Sequence, residues 1–262
     1  MEKTKGILVV SYGSSYKEER EKSIGAIEMA IATAFPEYKV YRAFTSKSIV
    51  ERIWKKEGVR IDSIGEALER ALAEGIRKMI VLQTHLAKGI RFDTMEKVAM
   101  SYDQRFEQLK ILQPILSNDE MVGIFVDGLI SIGTTYDDGA TAVCFVGHGM
   151  DDDSETIYGR LQNEISKRGY PHFYIGTLSM KPTCKDLVEC IGQNKEIRNV
   201  VLVPLMLVSG YHVRKDLMGA FDDSWCNTFL RAGFSAECIK RGLGEASFLQ
   251  NIFIEYLKNV IL

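Results

Sequence analysis

The chain lacks most of the features that would commit it to a membrane, to nucleic acid or to disulfide bonds. None of its apolar runs approaches the roughly 18–20 residues that a helix needs to span a bilayer, and no signal-peptide core precedes the first predicted strand. The formal net charge is −2, so no global positive field favours a nucleic-acid partner. The five cysteines are odd in number and have no CxxC spacing, and Cys144 and Cys190 are interpreted as small buried apolar side chains. We therefore expect a protein of the reducing cytoplasm without nucleic-acid or membrane partners.

Three common catalytic or nucleotide-binding motifs are also missing. Ser11 has no GxSxG context, which argues against a hydrolase nucleophile. The segment Gly242-Leu243-Gly244 falls short of a dinucleotide fingerprint and does not follow a predicted strand, and no P-loop is present. The chemistry of this chain must therefore be sought in other residues.

What is present is a regular alternation of apolar strands and helices. The hydrophobic content is 46% and the charged content 26%, so the 262 residues can form one large domain or two small ones. Strands that alternate with helices of this length predict parallel sheets with helices on both faces. Three less regular stretches are predicted as a helix over 92–109, a strand over 111–116 and a helix over 213–220.

The order of elements occurs twice along the chain. Strand, helix, strand, helix and strand succeed one another from Leu8 to Gly89 and again from Val143 to Gly210. Matched landmarks are Gly13 with Gly149, Ser46 with Ser179, and Gly89 with Gly210, so that Tyr12 matches His148 and Arg91 matches His212. We therefore predict an α/β fold of two similar lobes, residues 1–132 and 133–262, each a parallel sheet flanked by helices, with a cleft between them.

Two of the four histidines lie just after predicted strands of the second lobe. His148 stands between two glycines, and His212 follows Gly210-Tyr211. A neutral imidazole binds divalent transition metals and can accept a proton near pH 7. The two side chains can therefore form a metal or proton-relay site, or they can be unrelated polar residues on separate loops. His85 and His172 have weaker claims to such a role.

The acidic run Asp151-Asp152-Asp153 follows His148 at the start of a predicted helix. Negative charge is favourable at a helix N-terminus. We prefer this interpretation to a role in recruiting metal.

Several segments together resemble the class II chelatases, in particular the anaerobic sirohydrochlorin cobaltochelatases. The segments that carry the resemblance are LVVSYGSSY at 8–16, YRAFTS at 41–46, FVGHG at 145–149, VPLMLVSGYH at 203–212, DDSW at 222–225 and GLGE at 242–245. The resemblance implies two chelatase-like lobes with a tetrapyrrole of the sirohydrochlorin or precorrin-2 type between them. It also implies that His148 and His212 bind the metal substrate and accept the pyrrole protons. Co²⁺ is the expected metal, with Ni²⁺ or Fe²⁺ as alternatives, and no further cofactor is expected.

Two glutamates of the family pattern are replaced in this chain. Arg91 stands in the segment Gly89-Ile90-Arg91-Phe92, and Ser179 stands two residues before the lysine of Ser179-Met180-Lys181-Pro182. Basic side chains here suit a substrate that carries many carboxylates. The residues predicted to bind substrate are Ser11, Tyr12, Arg42, Arg91, Ser179, Lys181 and Arg214.

The replacements leave a second interpretation open. In it the chain is a tetrapyrrole- or haem-binding protein that has kept the chelatase fold and lost catalysis. The state of association is also left open, with a homo-oligomer as one expectation.

Overall fold

The computed structural model describes residues 3–149, 154–219 and 221–261, with the backbone alone at residues 90, 91 and 154–156. Within these ranges the chain divides into two compact units, Met1–Asn118 with Ser247–Leu262, and Asp119–Ala246. Each unit contains one four-stranded sheet. Among the described residues, no helix is long and apolar enough to cross a membrane.

The first unit is built on a parallel sheet with the strand order β2-β1-β3-β4. Its elements are β1 (Lys5–Ser11), α1 (Lys17–Arg20), a π-helical turn (Glu21–Gly25), α2 (Ala26–Ala34), β2 (Tyr38–Phe44), α3 (Lys47–Glu57), α4 (Ile64–Ala73), β3 (Lys78–Gln83), α5 (Ile90–Met100), a 3₁₀ turn (Asp103–Arg105), β4 (Gln108–Ile111) and a 3₁₀ turn (Ile115–Ser117). The apolar strands β1 and β3 are buried along nearly their whole length, as parallel strands covered on both faces are. The start of α4 shows how local sequence sets an element, because Ser63 and Glu66 form a reciprocal capping box there.

The second unit repeats this topology with the strand order β6-β5-β7-β8. Its elements are α6 (Asp119–Gly133), β5 (Thr141–Gly147), α7 (Ser154–Lys167), β6 (Phe173–Thr177), α8 (Cys184–Gly192), β7 (Asn199–Pro204), a π-helical turn (Val213–Leu217), α9 (Trp225–Arg231), β8 (Ser235–Cys238) and a 3₁₀ turn (Leu243–Glu245). The last helix of the chain, α10 (Ser247–Lys258), belongs to the first unit. The predicted α/β class with parallel sheets is confirmed.

The bounds of the two units differ from the expected division at residues 132 and 133. Helix α6 packs on α7, and Arg168 after α7 donates hydrogen bonds to Asp127 Oδ1 at 3.0 Å and to the Gly123 carbonyl at 3.3 Å. Helix α10 packs on α2, and Lys110 Nζ donates to the carbonyl of Val260 at 3.0 Å. The second unit therefore includes α6, which precedes the expected boundary, and the first unit includes α10 from the far end of the chain.

Main-chain hydrogen bonds at the two strand ends confirm the internal repeat. Thr45 N donates to the Ser11 carbonyl at 2.9 Å, and Leu178 N donates to the Gly147 carbonyl at 3.0 Å. Two residues after each of these carbonyls, Gly13 and Gly149 both have positive φ, +93° and +76°. In both places a Cβ would lie under 3.0 Å from the last residue of the neighbouring strand, so a larger residue would collide with it.

Four sequence-based expectations are corrected. The helix predicted over 92–109 ends at Met100, and the strand predicted over 111–116 is β4, which ends at Ile111. Pro114 has no N–H to donate to a sheet and is followed by the 3₁₀ turn at 115–117. A helix was predicted over 213–220. In the described residues of that stretch, the helical turn is of the π type and ends at Leu217. Cys144 is buried as expected, but Cys190 is exposed on α8.

A buried arginine holds the start of the helical layer in the first unit. Arg20 is 2% exposed. Its guanidinium donates to both carboxylate oxygens of Glu57, at 3.0 and 2.7 Å, and to the Ser14 carbonyl at 3.1 Å. This bidentate pair ties α1 to the end of α3.

Replacing Arg20 with alanine is expected to lower the free energy of unfolding by about 3–5 kcal/mol, because Glu57 then loses its partner in a largely buried position. The hydrogen bonds from Arg20 hold the pKa of Glu57 below its usual value. This contribution is therefore present at neutral pH and is lost as the pH falls through the folded-state pKa. Urea denaturation followed by tryptophan fluorescence measures it. The exposed pair of Arg77 with Glu107 is the control, since Arg77→Ala should change stability by less than about 1 kcal/mol. Equal effects of the two substitutions would contradict the assignment.

Candidate metal centre

The two histidines after β5 and β7 meet at the carboxyl edge of the second sheet. His148 Nε2 lies 3.1 Å from His212 Nε2, and the two rings are nearly perpendicular, with centroids 4.5 Å apart. Strands β5 and β7 are neighbours in the sheet, so residues that follow them emerge side by side. Both histidines belong to the second unit. The structure thus brings together the pair that the sequence predicted.

Asp216 was not singled out from the sequence, yet it contacts the pair directly. Its Oδ2 lies 2.7 Å from His212 Nδ1. A carboxylate only accepts, so Nδ1 of His212 carries the proton in this contact. The spacing His-x-x-x-Asp places the two side chains on one side of a helical turn and is the signal that could have revealed this contact.

The main chain around His148 is fixed by its neighbours. Gly147 lies against Tyr158 of α7, whose ring and hydroxyl would be 2.4 Å from a Cβ at that position. The Tyr158 hydroxyl accepts a hydrogen bond from Gly149 N at 3.3 Å. Gly149 has φ +76°, and a Cβ there would be 2.7 Å from Thr177. The sequence indicated the glycines, whereas the role of Tyr158 depends on packing that the sequence does not display.

Ser179 lies beneath the same turn. Its hydroxyl is 2.8 Å from the His148 carbonyl and 2.6 Å from the Gly149 carbonyl, and it donates its single hydrogen to this pair of oxygens. The residue predicted to bind substrate therefore supports the backbone of His148.

Two further predicted substrate-binding residues are engaged inside the first unit. Ser11 is fully buried and accepts a hydrogen bond from the Thr84 hydroxyl at 2.9 Å, so it does not present its hydroxyl to a ligand. Arg42 donates to Glu28 at 2.6 to 2.9 Å and to Glu21 at 3.1 and 3.2 Å. Burial opposes its charge, but these hydrogen bonds outweigh burial and raise the pKa of Arg42. Its guanidinium is engaged by Glu28 and Glu21, and the expectation that it anchors a substrate carboxylate stays a prediction.

The other predicted substrate-binding residues are placed as follows. Tyr12 is 40% exposed at the end of β1. Lys181 and Arg214 are exposed in the second unit, the latter within the π-helical turn that follows His212. The side chain of Arg91 and the run Asp151–Asp153 lie outside the described residues.

The two remaining histidines do not join the pair. His172 immediately precedes β6, and its Nε2 lies 3.4 Å from the Asn194 side-chain amide. His85 lies after β3 in the first unit.

The geometry of the pair suits a divalent metal ion. The two Nε2 atoms are 3.1 Å apart. If a metal ion lay about 2.1 Å from each of them, the N–metal–N angle would be about 95°, close to the angle between neighbouring ligands of an octahedron. Within the described ranges, no group of three or more His, Cys, Asp or Glu side chains is arranged to hold a metal. Two imidazoles leave most coordination positions of such an ion to other ligands.

Comparison with known proteins assigns the family. The model of the family described as cobalt chelatase (CbiK) matches residues 5–262. The sirohydrochlorin cobaltochelatase of Salmonella typhimurium is 28% identical over 261 residues, spanning 98% of this chain and 96% of that protein. The sirohydrochlorin cobaltochelatase CbiKC of Nitratidesulfovibrio vulgaris is 26% identical over 258 residues, spanning 97% and 89%.

Solved structures share the fold at lower identity. SirB from Bacillus subtilis with Fe³⁺ aligns with a TM-score of 0.62 and 15% identity, covering 98% of this chain and 95% of that one. CbiX, described as the terminal enzyme of sirohaem biosynthesis in denitrifying bacteria, aligns with a TM-score of 0.59 and 16% identity, covering 98% and 100%. The family match and the relatives from Salmonella and Nitratidesulfovibrio confirm the resemblance to class II chelatases. The chain belongs to the cobalt chelatase (CbiK) family and is a metal chelatase.

Proposed function

We propose that this chain inserts Co²⁺ into sirohydrochlorin, as a step of anaerobic cobalamin biosynthesis. The observation that carries the proposal is the approach of His148 Nε2 and His212 Nε2 to 3.1 Å at the edge of the second sheet. The substrate class and the metal are those named for the relatives from Salmonella and Nitratidesulfovibrio.

Before metal arrives, one proton bridges the two imidazoles. His212 Nδ1 donates to Asp216, so its Nε2 carries a lone pair that accepts a hydrogen bond from His148 Nε2. Metal binding needs a lone pair on both Nε2 atoms. The incoming ion therefore displaces the bridging proton from Nε2, and Nδ1 of His148 takes up a proton, so that the ring stays a neutral imidazole.

Transfer of the metal leaves the pair ready to receive protons. Insertion of a divalent ion into the macrocycle releases two pyrrole protons. When the metal leaves the pair, each Nε2 regains a lone pair. The two Nε2 atoms can then accept the two pyrrole protons. The carboxylate of Asp216 compensates part of the positive charge that either a metal or a proton brings to the His212 ring.

The test is a metal-insertion assay with purified protein, sirohydrochlorin and Co²⁺, followed by the change in the visible spectrum. We expect insertion well above the rate of the same mixture without protein. Parallel reactions with Ni²⁺ and Fe²⁺ decide the metal preference. A spectrum that shows tetrapyrrole binding without accelerated insertion would overturn the proposal and favour a carrier with the chelatase fold.

A further inference from the structure

The hydrogen bond between Asp216 and His212 bears on which imidazole nitrogen faces the metal. Both side chains lie on the segment that follows β7, where the π-helical turn Val213–Leu217 continues directly from His212. The Nδ1–Oδ2 distance is 2.7 Å, which is short for an N–H···O hydrogen bond and typical of one to a charged acceptor. Asp216 is 30% exposed and His212 43% exposed at the side chain, so the contact is partly shielded from water.

A neutral imidazole can carry its proton on either nitrogen, and only the other nitrogen can bind a metal. With a carboxylate at Nδ1, the proton is held there and Nε2 keeps its lone pair. Without it, His212 can place the proton on Nε2, where it would oppose a metal ion. The ring would also lose the contact that limits its rotation.

The described residues of the first unit do not repeat this arrangement. Phe92 N and Asp93 N donate to the Gly89 carbonyl, and Arg214 N donates in the same way to the Gly210 carbonyl, so the two turns correspond. In this alignment the position of Asp216 is taken by Met95, which is 2% exposed in the core. The aspartate is thus specific to the segment that carries His212, and the first unit begins the α-helix α5 at the corresponding place without it.

We propose that Asp216 is a positioning residue that holds His212 in the Nδ1–H tautomer and directs its Nε2 to the metal. The inference rests on the proposed use of His212 as a metal ligand. The role of Asp216 can be tested on the free protein and on the protein with Co²⁺, without a tetrapyrrole.

The first measurement uses the wild-type protein and needs no substitution. Two-bond ¹H–¹⁵N correlation spectra at pH 8, assigned with the help of a His212→Gln variant, report which nitrogen of each ring is protonated. We expect His212 to carry its proton on Nδ1 and His148 on Nε2. A His212 ring protonated mainly on Nε2 would overturn the inference.

The second measurement is Co²⁺ affinity by titration, with Asp216→Asn, Asp216→Ala and Asp216→Glu. Asn preserves the shape but can present its N–H₂ to Nδ1, which favours the other tautomer. Loss of such a supporting group typically costs about 10–100-fold in metal affinity, and we expect that loss for Asn and Ala and partial recovery for Glu. Asp216→Asn protein that binds Co²⁺ within twofold of wild type would refute the role.

The matched control is Asp223→Asn, which removes the same charge from an exposed residue of the following loop. It should bind Co²⁺ as wild type does, and an equal loss there would indicate a general charge effect and overturn the specific one. The insertion assay is separate. If wild-type protein fails to accelerate insertion but shows the expected tautomer and affinity pattern, the proposed function fails while the role of Asp216 stands.

Discussion

Replacement of both His148 and His212 with alanine is expected to abolish accelerated Co²⁺ insertion, with a loss of at least about 100-fold in rate. The double variant removes both nitrogens that approach each other at 3.1 Å, and with them the proposed metal ligands and proton acceptors. Each single variant should lose nearly as much as the double, because residues that act as one unit are strongly non-additive. The insertion assay with sirohydrochlorin measures the rate, and titration with Co²⁺ alone measures the affinity.

His172→Ala supplies the matched control for these variants. It removes an imidazole from the same unit at the start of β6, where the ring contacts Asn194 and lies apart from the metal centre. Its insertion rate and Co²⁺ affinity should equal those of the wild type. Retention of full activity in the double histidine variant would contradict the assignment of the site.

Gly147→Ala is expected to have the second largest effect, although it changes no ligand. The added methyl group would lie 2.4 Å from the ring and hydroxyl of Tyr158, so the strand end and α7 must separate locally. Overpacking of this kind costs about 1–3 kcal/mol. Because Gly147 directly precedes His148, the shift displaces the imidazole, and we expect Co²⁺ affinity to fall at least tenfold together with the melting temperature.

Two companion variants separate this effect from a general one. Gly159→Ala, on the exposed side of α7 beside Tyr158, meets no atom within 4 Å and should stabilise the helix by about 0.5–1 kcal/mol without changing Co²⁺ affinity. The double variant Gly147→Ala with Tyr158→Ala removes the collision and should bind Co²⁺ more tightly than Gly147→Ala alone. If Gly147→Ala melts and binds Co²⁺ as the wild type does, the close packing is not what positions His148.

Strand ends were the most informative part of the sequence. The pattern of a buried strand followed by Gly147-His148-Gly149 predicted a polar side chain at the carboxyl edge of a sheet, and the second strand end supplied His212. The internal repeat was also legible, because turns that need glycine at positive φ leave glycine at matching places in both halves. These features depend on local backbone geometry, which local sequence encodes.

Contacts between segments distant in the sequence could not be predicted from the sequence pattern. The division of the chain into units depends on where α6 and α10 pack, and the apolar residues of each helix do not by themselves identify its partner. Arg42 suggested a substrate anchor because a guanidinium suits the carboxylates of the expected substrate. Only the fold shows that Glu21 and Glu28 reach it from the neighbouring helical segments.

By itself the sequence determined the α/β class and the two parallel sheets through its periodicity, and it singled out the two histidines at strand ends. The family entered as a resemblance carried by six segments. The tertiary structure decided that Nε2 of each ring faces the other at 3.1 Å, that Asp216 holds the far side of His212, and that Ser11 and Arg42 are occupied within the protein. Hydrogen-bond partners are chosen by distance and direction in space. Those quantities exist only after the helices have packed on their sheets.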